Sequence, residues 1–585
     1  MSESKTYVRD ATGLVREIGV VTATIFILSN VVGAGWQKRV FQTTGWAPLH
    51  PSKVLLVDPL VVAFLLTGIA AISTVFVFAV MATAMPRAGG GYVYISRVIS
   101  PGVGFVSAWA EFLGIAISYG LIAVIVVEFT VLFMPVAGVT AFDFLDDPLW
   151  YTILGIVFTF LFAGIAFFGT SMTGKLLHVM FWIPAVITVA IYAMLIMGVL
   201  NTAAMETGIQ NVTGATANQW IADAVSQGLD VPANQAPDYF SAVNTAILGA
   251  YWSWIGYAAI SFAAGEVKEA NRSLPISHLA AGFLILGIYM SISTLMSMAA
   301  SVGTHASGWK WFQAVSFNNE QAANPTYTGY NFMPFVAAVA ADGLGFGFLA
   351  IFFAIAGVLW LANDLPPFIT TSSRILFAMS FDRALPEAFA KVDERWHSPT
   401  NAITATAIIA ILGVFAEAGT FGLNGVIHIP VLAEMIGNGV VATDLLDGIF
   451  FTMACVAAIM LPGRMKDVYE RTAWRPKVFG REGIVVIGWI ALISNIYLDL
   501  VILGEFGILV PMAGLEALPL IGAMPIIPDT AAIIPSGDII ATLNWGFWTV
   551  VVMVIIGAVI YFYMKSYYSR RGVDFTTIYA SIPPE

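Results

Sequence analysis

The sequence predicts an all-α integral membrane protein of about twelve transmembrane helices: a five-plus-five inverted repeat with broken helices 1 and 6, plus two extra helices. Three observations carry that reading. Of the 585 residues, 59% are apolar and only 10% charged, well under the roughly 25% charged content of a soluble domain. Mostly apolar segments recur along the whole chain, each about as long as the ~20 helical residues that cross a ~30 Å hydrocarbon core. Two of these segments, five apart, carry helix-breaking glycines among polar or aromatic residues.

The spans read 18–36, 56–83, 103–134, 149–169, 176–199, 243–264, 275–300, 345–373, 400–418, 432–461, 482–504 and 545–564. The first follows the mixed-charge stretch MSESKTYVRDATGLVREIG. It is longer than the apolar core of a signal peptide and is expected to be retained. The expected organisation is a cytoplasmic tail at 1–17, a first five-helix repeat at 18–199, an extracellular loop at 200–242 and a second repeat at 243–461. A cytoplasmic loop at 462–481, helices 11 and 12 with a long apolar outer loop at 482–564, and a cytoplasmic tail at 565–585 complete it. Within that last unit, 505–544 holds five prolines and reads as a loop, whether or not it dips into the bilayer, because proline interrupts a continuous helix.

Orientation follows from the basic residues, which stay cytoplasmic in short loops. With the N-terminus inside, 21 of the 25 lysines and arginines fall on the inner side, and only Lys38, Arg39, Lys53 and Lys310 lie outside. A multi-pass protein of the cell membrane with both termini cytoplasmic is expected. The net charge of −11 comes mostly from acidic outer loops and argues against nucleic acid as a partner. The lone Cys455 reads as packing. The six histidines are scattered without metal-ligand spacing, and no nucleotide-binding loop or catalytic constellation is present, which speaks against an enzyme.

The first interrupted span contains SNVVGAGWQK at 29–38, the second WSWIGY at 252–257. Irregular backbone at membrane depth is tolerated only where it lines a protein cavity. Two interrupted helices of opposite direction in corresponding positions point to an inverted-repeat carrier with its site between the breaks. Close helix packing on small residues is the plainer alternative. Freed N–H groups attract anions and freed carbonyls attract ammonium or sodium. Asn30, Gly33, Ala34 and Gly35 on one break, and Trp252, Ser253, Trp254, Ile255, Gly256 and Tyr257 on the other, are therefore the candidate substrate-binding residues.

These stretches resemble the amino acid/polyamine/organocation permease superfamily, among them bacterial and archaeal amino acid permeases. WSWIGYAAISFAAGEVKEANRSLPI at 252–276 is similar to the sixth helix and following loop of bacterial amino acid permeases, and SNVVGAGW to the break in their first helix. MPRAGGGYVYISRVISPGVGF at 85–105 and SSRILFAMSFDRALPEAFAKV at 372–392 resemble the loops after helices 2 and 8. The resemblance implies alternating-access transport of amino acids or related amines, with the substrate carboxylate at Gly33 to Gly35 and its amino group at carbonyls near Trp252 and Ile255. It implies that Trp252, Trp254 or Tyr257 closes over the substrate. Where many members carry an acid after the helix 6 glycine this chain has Ala258 and Ala259, and Pro184 and Ala185 stand about where some carry a helix 5 lysine.

Charges inside a bilayer are functional candidates by default. Asp364 lies ten residues before Arg374, about 15 Å along a helix and so near the midplane. Asn363 and Asp364 offer oxygen ligands of the kind sodium prefers, and the following Pro366 and Pro367 free backbone carbonyls. Asp364 could hold sodium, carry a proton or be structural; Glu111 could line the pathway, meet a substrate ammonium or be structural. Glu266, just past the inner end of span 6, matches an acidic or polar position of the family's helix 6–7 loop, so the resemblance implies an inner-gate contact with a base such as Arg374; a solvated loop acid is the plainer alternative. Asp58, Glu128 and Asp444 fall toward the outer interface, where a charge needs no special account. No cofactor is expected beyond a coupling ion, sodium or a proton. An amine or polyamine carrier and a transporter-like nutrient sensor are the competing readings.

Overall fold

The computed structural model describes residues 12–39, 58–227, 239–320, 333–441, 443–505, 545–572, 575–580 and 582. The proline-rich 506–544, Lys53 and most of the N-terminal tail lie outside the described residues. Ten described helical stretches are long and apolar enough to cross a membrane, the run Gly347–Phe381 counted as one.

The chain opens with α1 (Val20–Ser29), which gives way to irregular backbone and then a short π-helical turn at Gly35–Arg39. Next come α2 (Pro59–Ala84), the short α3 (Gly91–Val98), α4 (Pro101–Phe133), α5 (Pro148–Ala166) and α6 (Gly169–Leu200). Three of these share one start signal. Asp58, Ser100 and Asp147 each cap a helix whose first residue is proline, the side-chain oxygen accepting from a first-turn backbone N–H, so a donor left over at the helix end is satisfied while proline brings none of its own.

Two helices, α7 (Thr202–Thr213) and α8 (Ala217–Ser226), occupy the expected outer loop and lead to α9 (Tyr239–Trp252). A turn separates α9 from the four-residue α10 (Ala259–Phe262). Then follow α11 (Ala270–Ala299), α12 (Trp311–Glu320), α13 (Met333–Gly343), α14 (Ala350–Ala362), α15 (Leu365–Phe381) and α16 (Thr400–Glu417). The chain continues through α17 (Pro430–Val441), α18 (Thr443–Arg464), α19 (Lys466–Glu470), the two-residue hairpin β1 (Lys477–Val478) and β2 (Arg481–Glu482), α20 (Gly483–Glu505), α21 (Trp545–Ser569) and α22 (Phe575–Tyr579).

Two differences from the sequence reading stand out. The first and sixth expected spans are not continuous helices, and both fall outside the ten. α17 and α18 cover the expected span 432–461 except residue 442, which lies outside the described residues. The loops expected at 200–242 and 301–344 hold α7, α8, α12 and α13, all too short to register as spans.

The centre of the bundle is α4, buried along most of its length and packed on α16, α15, α18 and α21. Its contact with α16 is close because Gly120 faces the Ala410 carbonyl and Gly413 faces that of Ile117; a Cβ at either glycine would stand under 2 Å from the oxygen. Small residues of this kind let helix backbones approach where lipid supplies no hydrophobic drive. On the other flank α2 packs on α11, α9 and α20, leaving the two irregular segments between these groups.

Candidate functional site

The two irregular segments touch. Gly256, at φ +102°, faces Asn30: a Cβ there would lie 1.9 Å from its Nδ2 and 2.4 Å from its carbonyl oxygen. Only glycine takes this backbone conformation freely while leaving room for a second chain segment. Gly35 likewise meets Ser253, whose Cα would stand 2.3 Å from an added Cβ.

A third element reaches the same place. Pro366 and Pro367 lack the N–H groups that would continue the helical ladder, so α14 and α15 are joined by a turn at Asn363 and Asp364. Asp364 Oδ2 accepts from the Ala34 backbone N–H at 3.2 Å. The backbone donor freed by the first break is thus held by a carboxylate of the protein itself. Asp364 Oδ1, both polar side-chain atoms of Asn363, Asn30 Oδ1, Ser29 Oγ and Thr371 Oγ1 are buried without a hydrogen-bond partner. Buried polar atoms are nearly always satisfied, so those on the first break and at the Asn363–Asp364 turn are candidates to face a polar or charged ligand.

Sequence reasoning missed Tyr289. Its hydroxyl, carried by α11, lies 2.6 Å from both the Val31 and the Ser253 carbonyl oxygens, spanning the two breaks with one donor. No sequence signal distinguishes a tyrosine in an apolar helix from ordinary packing. Trp254 meets Tyr289 edge to face at 5.3 Å, and Tyr257 stacks on Phe451 at 4.7 Å. Trp254, Ile255 and Tyr257 are buried, whereas Trp252 is half-buried.

Ionic contacts tie helices together at both ends of the bundle. At the base-rich end Arg374 Nε donates to Glu266 Oε1 at 2.7 Å and its terminal nitrogen to Oε2 at 3.2 Å, both side chains buried. The Glu266 carbonyl also accepts from the N–H groups of Glu17 and Ile18, so the start of α1 is pinned to the same corner. Arg97 pairs with buried Asp382 and lies over the Tyr579 ring of α22 at 4.8 Å. At the opposite end Lys38 bridges Glu128 of α4 at 2.5 Å and Glu417 of α16 at 2.8 Å. Glu128, which reads as an ordinary interface charge, is a partner of Lys38 in a largely buried network, because the turn after the first break aims Lys38 back into the bundle. Asp58 is a helix cap that also accepts from Ser297 Oγ at 2.9 Å.

Glu111 takes a different partner from the rest of the site. It faces Asp447 of α18, an acid that the sequence reading left aside although its place inside an apolar span marks it.

The amino acid permease family model matches residues 18–515. The methylthioribose transporter of Bacillus subtilis is 22% identical over 463 residues, 78% of this chain and 83% of that protein. A chloroplastic cationic amino acid transporter of Arabidopsis thaliana is 24% identical over 496 residues, 83% of this chain and 74% of the relative. The branched-chain amino acid permease of Lactococcus lactis is 23% identical over 369 residues, 61% of this chain and 68% of its own length. With ten membrane-crossing helices and a match over most of its length, the chain is a multi-pass membrane transporter rather than an enzyme, and it belongs to the amino acid permease family.

Proposed function

We propose that the protein is a secondary active transporter that moves amino acids across the cell membrane by alternating access, driven by a sodium or proton gradient or by exchange. The observation that carries this reading is the direct contact of the two breaks, Gly256 against Asn30, amid buried polar atoms without partners. Twelve spans in two inverted repeats, with α1 and its π-helical turn as helix 1 and α9 with α10 as helix 6, give a binding place between the breaks. Both termini are cytoplasmic in this reading. Glu266 with Arg374 and Arg97 with Asp382 form the inner closure, and Lys38 with Glu128 and Glu417 the outer one. Alternating access then requires the two sets to open in turn.

Asp364 Oδ1 and Asn363 Oδ1 are hard oxygen donors, so a sodium ion fits the residues present. These two side chains would hold it, and the ion would supply a positive charge beside the first break. Family relatives named for branched-chain and cationic amino acids support amino acids as substrates. Ala258 and Ala259, with the aromatic residues around them, favour a neutral or apolar side chain.

One observation supports a second reading. The Ala34 N–H already serves the Asp364 carboxylate, so a substrate without a carboxylate, such as an amine, would leave that bond intact and pair its cation with the free Oδ1. Melting the purified protein with leucine, arginine, putrescine and methylthioribose in sodium and in potassium buffer separates the readings. A ligand at about 100 times its dissociation constant adds ~2.7 kcal/mol to the native state. A shift with amino acids upholds the first reading, a shift with putrescine alone the second. Silence from all four ligands counts against both.

A further inference from the structure

Beyond Tyr257, away from Asp364, two carboxyl groups are buried against each other. Glu111 projects from α4 and Asp447 from α18, 2% and 0% exposed. They are close enough for a direct hydrogen bond, and Glu111 Oε2 and both Asp447 oxygens have no partner able to donate one. Gly114 shapes the place: a Cβ there would lie 2.7 Å from Asp447 Oδ1. Among the described residues no lysine, arginine or histidine forms an ion pair with either acid.

Tyr257 lies within electrostatic reach of both acids and Tyr251 of Asp447; the same two tyrosines also face Cys455 and Asp444 on α18 and Asp499 on α20. None of them is a base. Asp499 is seated on Gly448 and accepts from Thr452 Oγ1 at 2.8 Å. The Tyr257 hydroxyl is buried and sits by Thr74 within electrostatic reach of both Glu111 and Asp447. Two ionised carboxylates in contact repel and can only accept, whereas one proton between them turns the contact into a short, charge-assisted O–H···O⁻ bond. In a region that water does not reach, the difference is large.

We propose that Glu111 and Asp447 form a proton-binding pair that shares one proton and carries the ion coupled to transport. The inference rests on the transporter reading and makes the coupling ion a proton held away from Asp364. The link to the substrate place is mechanical. Tyr257 belongs to the second break, and its stacking partner Phe451 stands one helical turn beyond Asp447. A rearrangement of the break on substrate binding shifts Tyr257, and through Phe451 the stretch of α18 that carries Asp447.

Two measurements test this. Infrared spectra of the purified full chain in detergent at neutral pH are expected to show a protonated carboxyl band that is lost or shifted in Glu111→Gln and in Asp447→Asn and kept in Asp364→Asn. A band unaffected by the first two substitutions overturns the proposal. In liposomes holding a pH-sensitive dye, an external mixture of the twenty amino acids is expected to acidify the lumen with the wild type. Neither pair variant should acidify it, while exchange of radiolabelled amino acids persists in both. Labelled uptake by the wild type without acidification defeats the coupling role and leaves the transporter reading standing, whereas no labelled uptake at all defeats both.

Discussion

Gly33 and Asp364 are packed so tightly that a single added methyl on Gly33 would stand 1.8 Å from Oδ2 of the carboxylate. The first break and the turn between α14 and α15 therefore fit together only through a residue without a side chain. Gly33→Ala is expected to push Asp364 off the Ala34 N–H and to abolish ligand-induced melting shifts. Overpacking of this kind costs about 1–3 kcal/mol, so the variant should still fold. An undiminished ligand shift in a well-folded Gly33→Ala protein would remove this contact from the site.

Asp364→Asn keeps the shape and removes the charge. Its amide oxygen can still accept from Ala34, so the break should hold. If sodium rather than a proton is the coupling ion, sodium-dependent stabilisation and accumulation driven by an inward sodium gradient should both disappear, with exchange spared. If amines are the substrates, the same variant should also lose its response to putrescine. Parallel melting and vesicle-uptake measurements in sodium and potassium check both, and unchanged accumulation would exclude Asp364 from coupling.

Much of the architecture was legible in the sequence because membrane spans obey one simple demand, about 20 apolar residues for a ~30 Å core. The breaks were legible because glycines next to polar residues defy that pattern, and the corner formed by Glu266 and Arg374 through the resemblance of its loop to that of the family. What the sequence hid depends on direction rather than composition. Nothing in the order of residues says that Asp364 turns toward Ala34, that Tyr289 reaches two carbonyls at once, or that Glu111 meets Asp447 from a helix more than three hundred positions away. The short helices α7, α8, α12 and α13 went unread because they neither span the bilayer nor break a span.

The Glu266 and Arg374 pair is bidentate and buried. Removing one member strands the other, which costs ~3–5 kcal/mol for a buried pair, while replacing both with apolar residues of similar volume can be neutral. Arg374→Met and Glu266→Gln alone should each lower the melting temperature clearly, and Arg374→Met with Glu266→Leu should recover most of the loss. Equal losses in the single and double variants would mean that the pair contributes through packing rather than charge.

Tyr289→Phe deletes one hydroxyl and little volume. A neutral hydrogen bond is worth about 1 kcal/mol net, so the protein should remain folded. Two carbonyls, of Val31 and Ser253, lose the donor that held the breaks in register. Ligand affinity is expected to fall by more than global stability does. Denaturation and ligand titration of the same preparation compare the two, and an unchanged affinity would confine Tyr289 to packing against Trp254.

Lys38 offers the sharpest test of closure at the end opposite Arg374, because one ammonium holds two carboxylates from two helices. Lys38→Met leaves Glu128 and Glu417 near each other without that charge, and their repulsion should drive α4 and α16 away from the π-helical turn. Lys38→Arg keeps the charge and should preserve most of the closure. Gln37 is fully buried beside Lys38, so a cysteine placed there, with Cys455 replaced by serine, reports on opening through its rate of thiol modification. The Met variant should react faster than the parent by a margin that shrinks in the Arg variant. If all three react alike, the network at Lys38 does not hold this end of the bundle shut, and closure there depends on the packing around Trp36 and Gln37 instead.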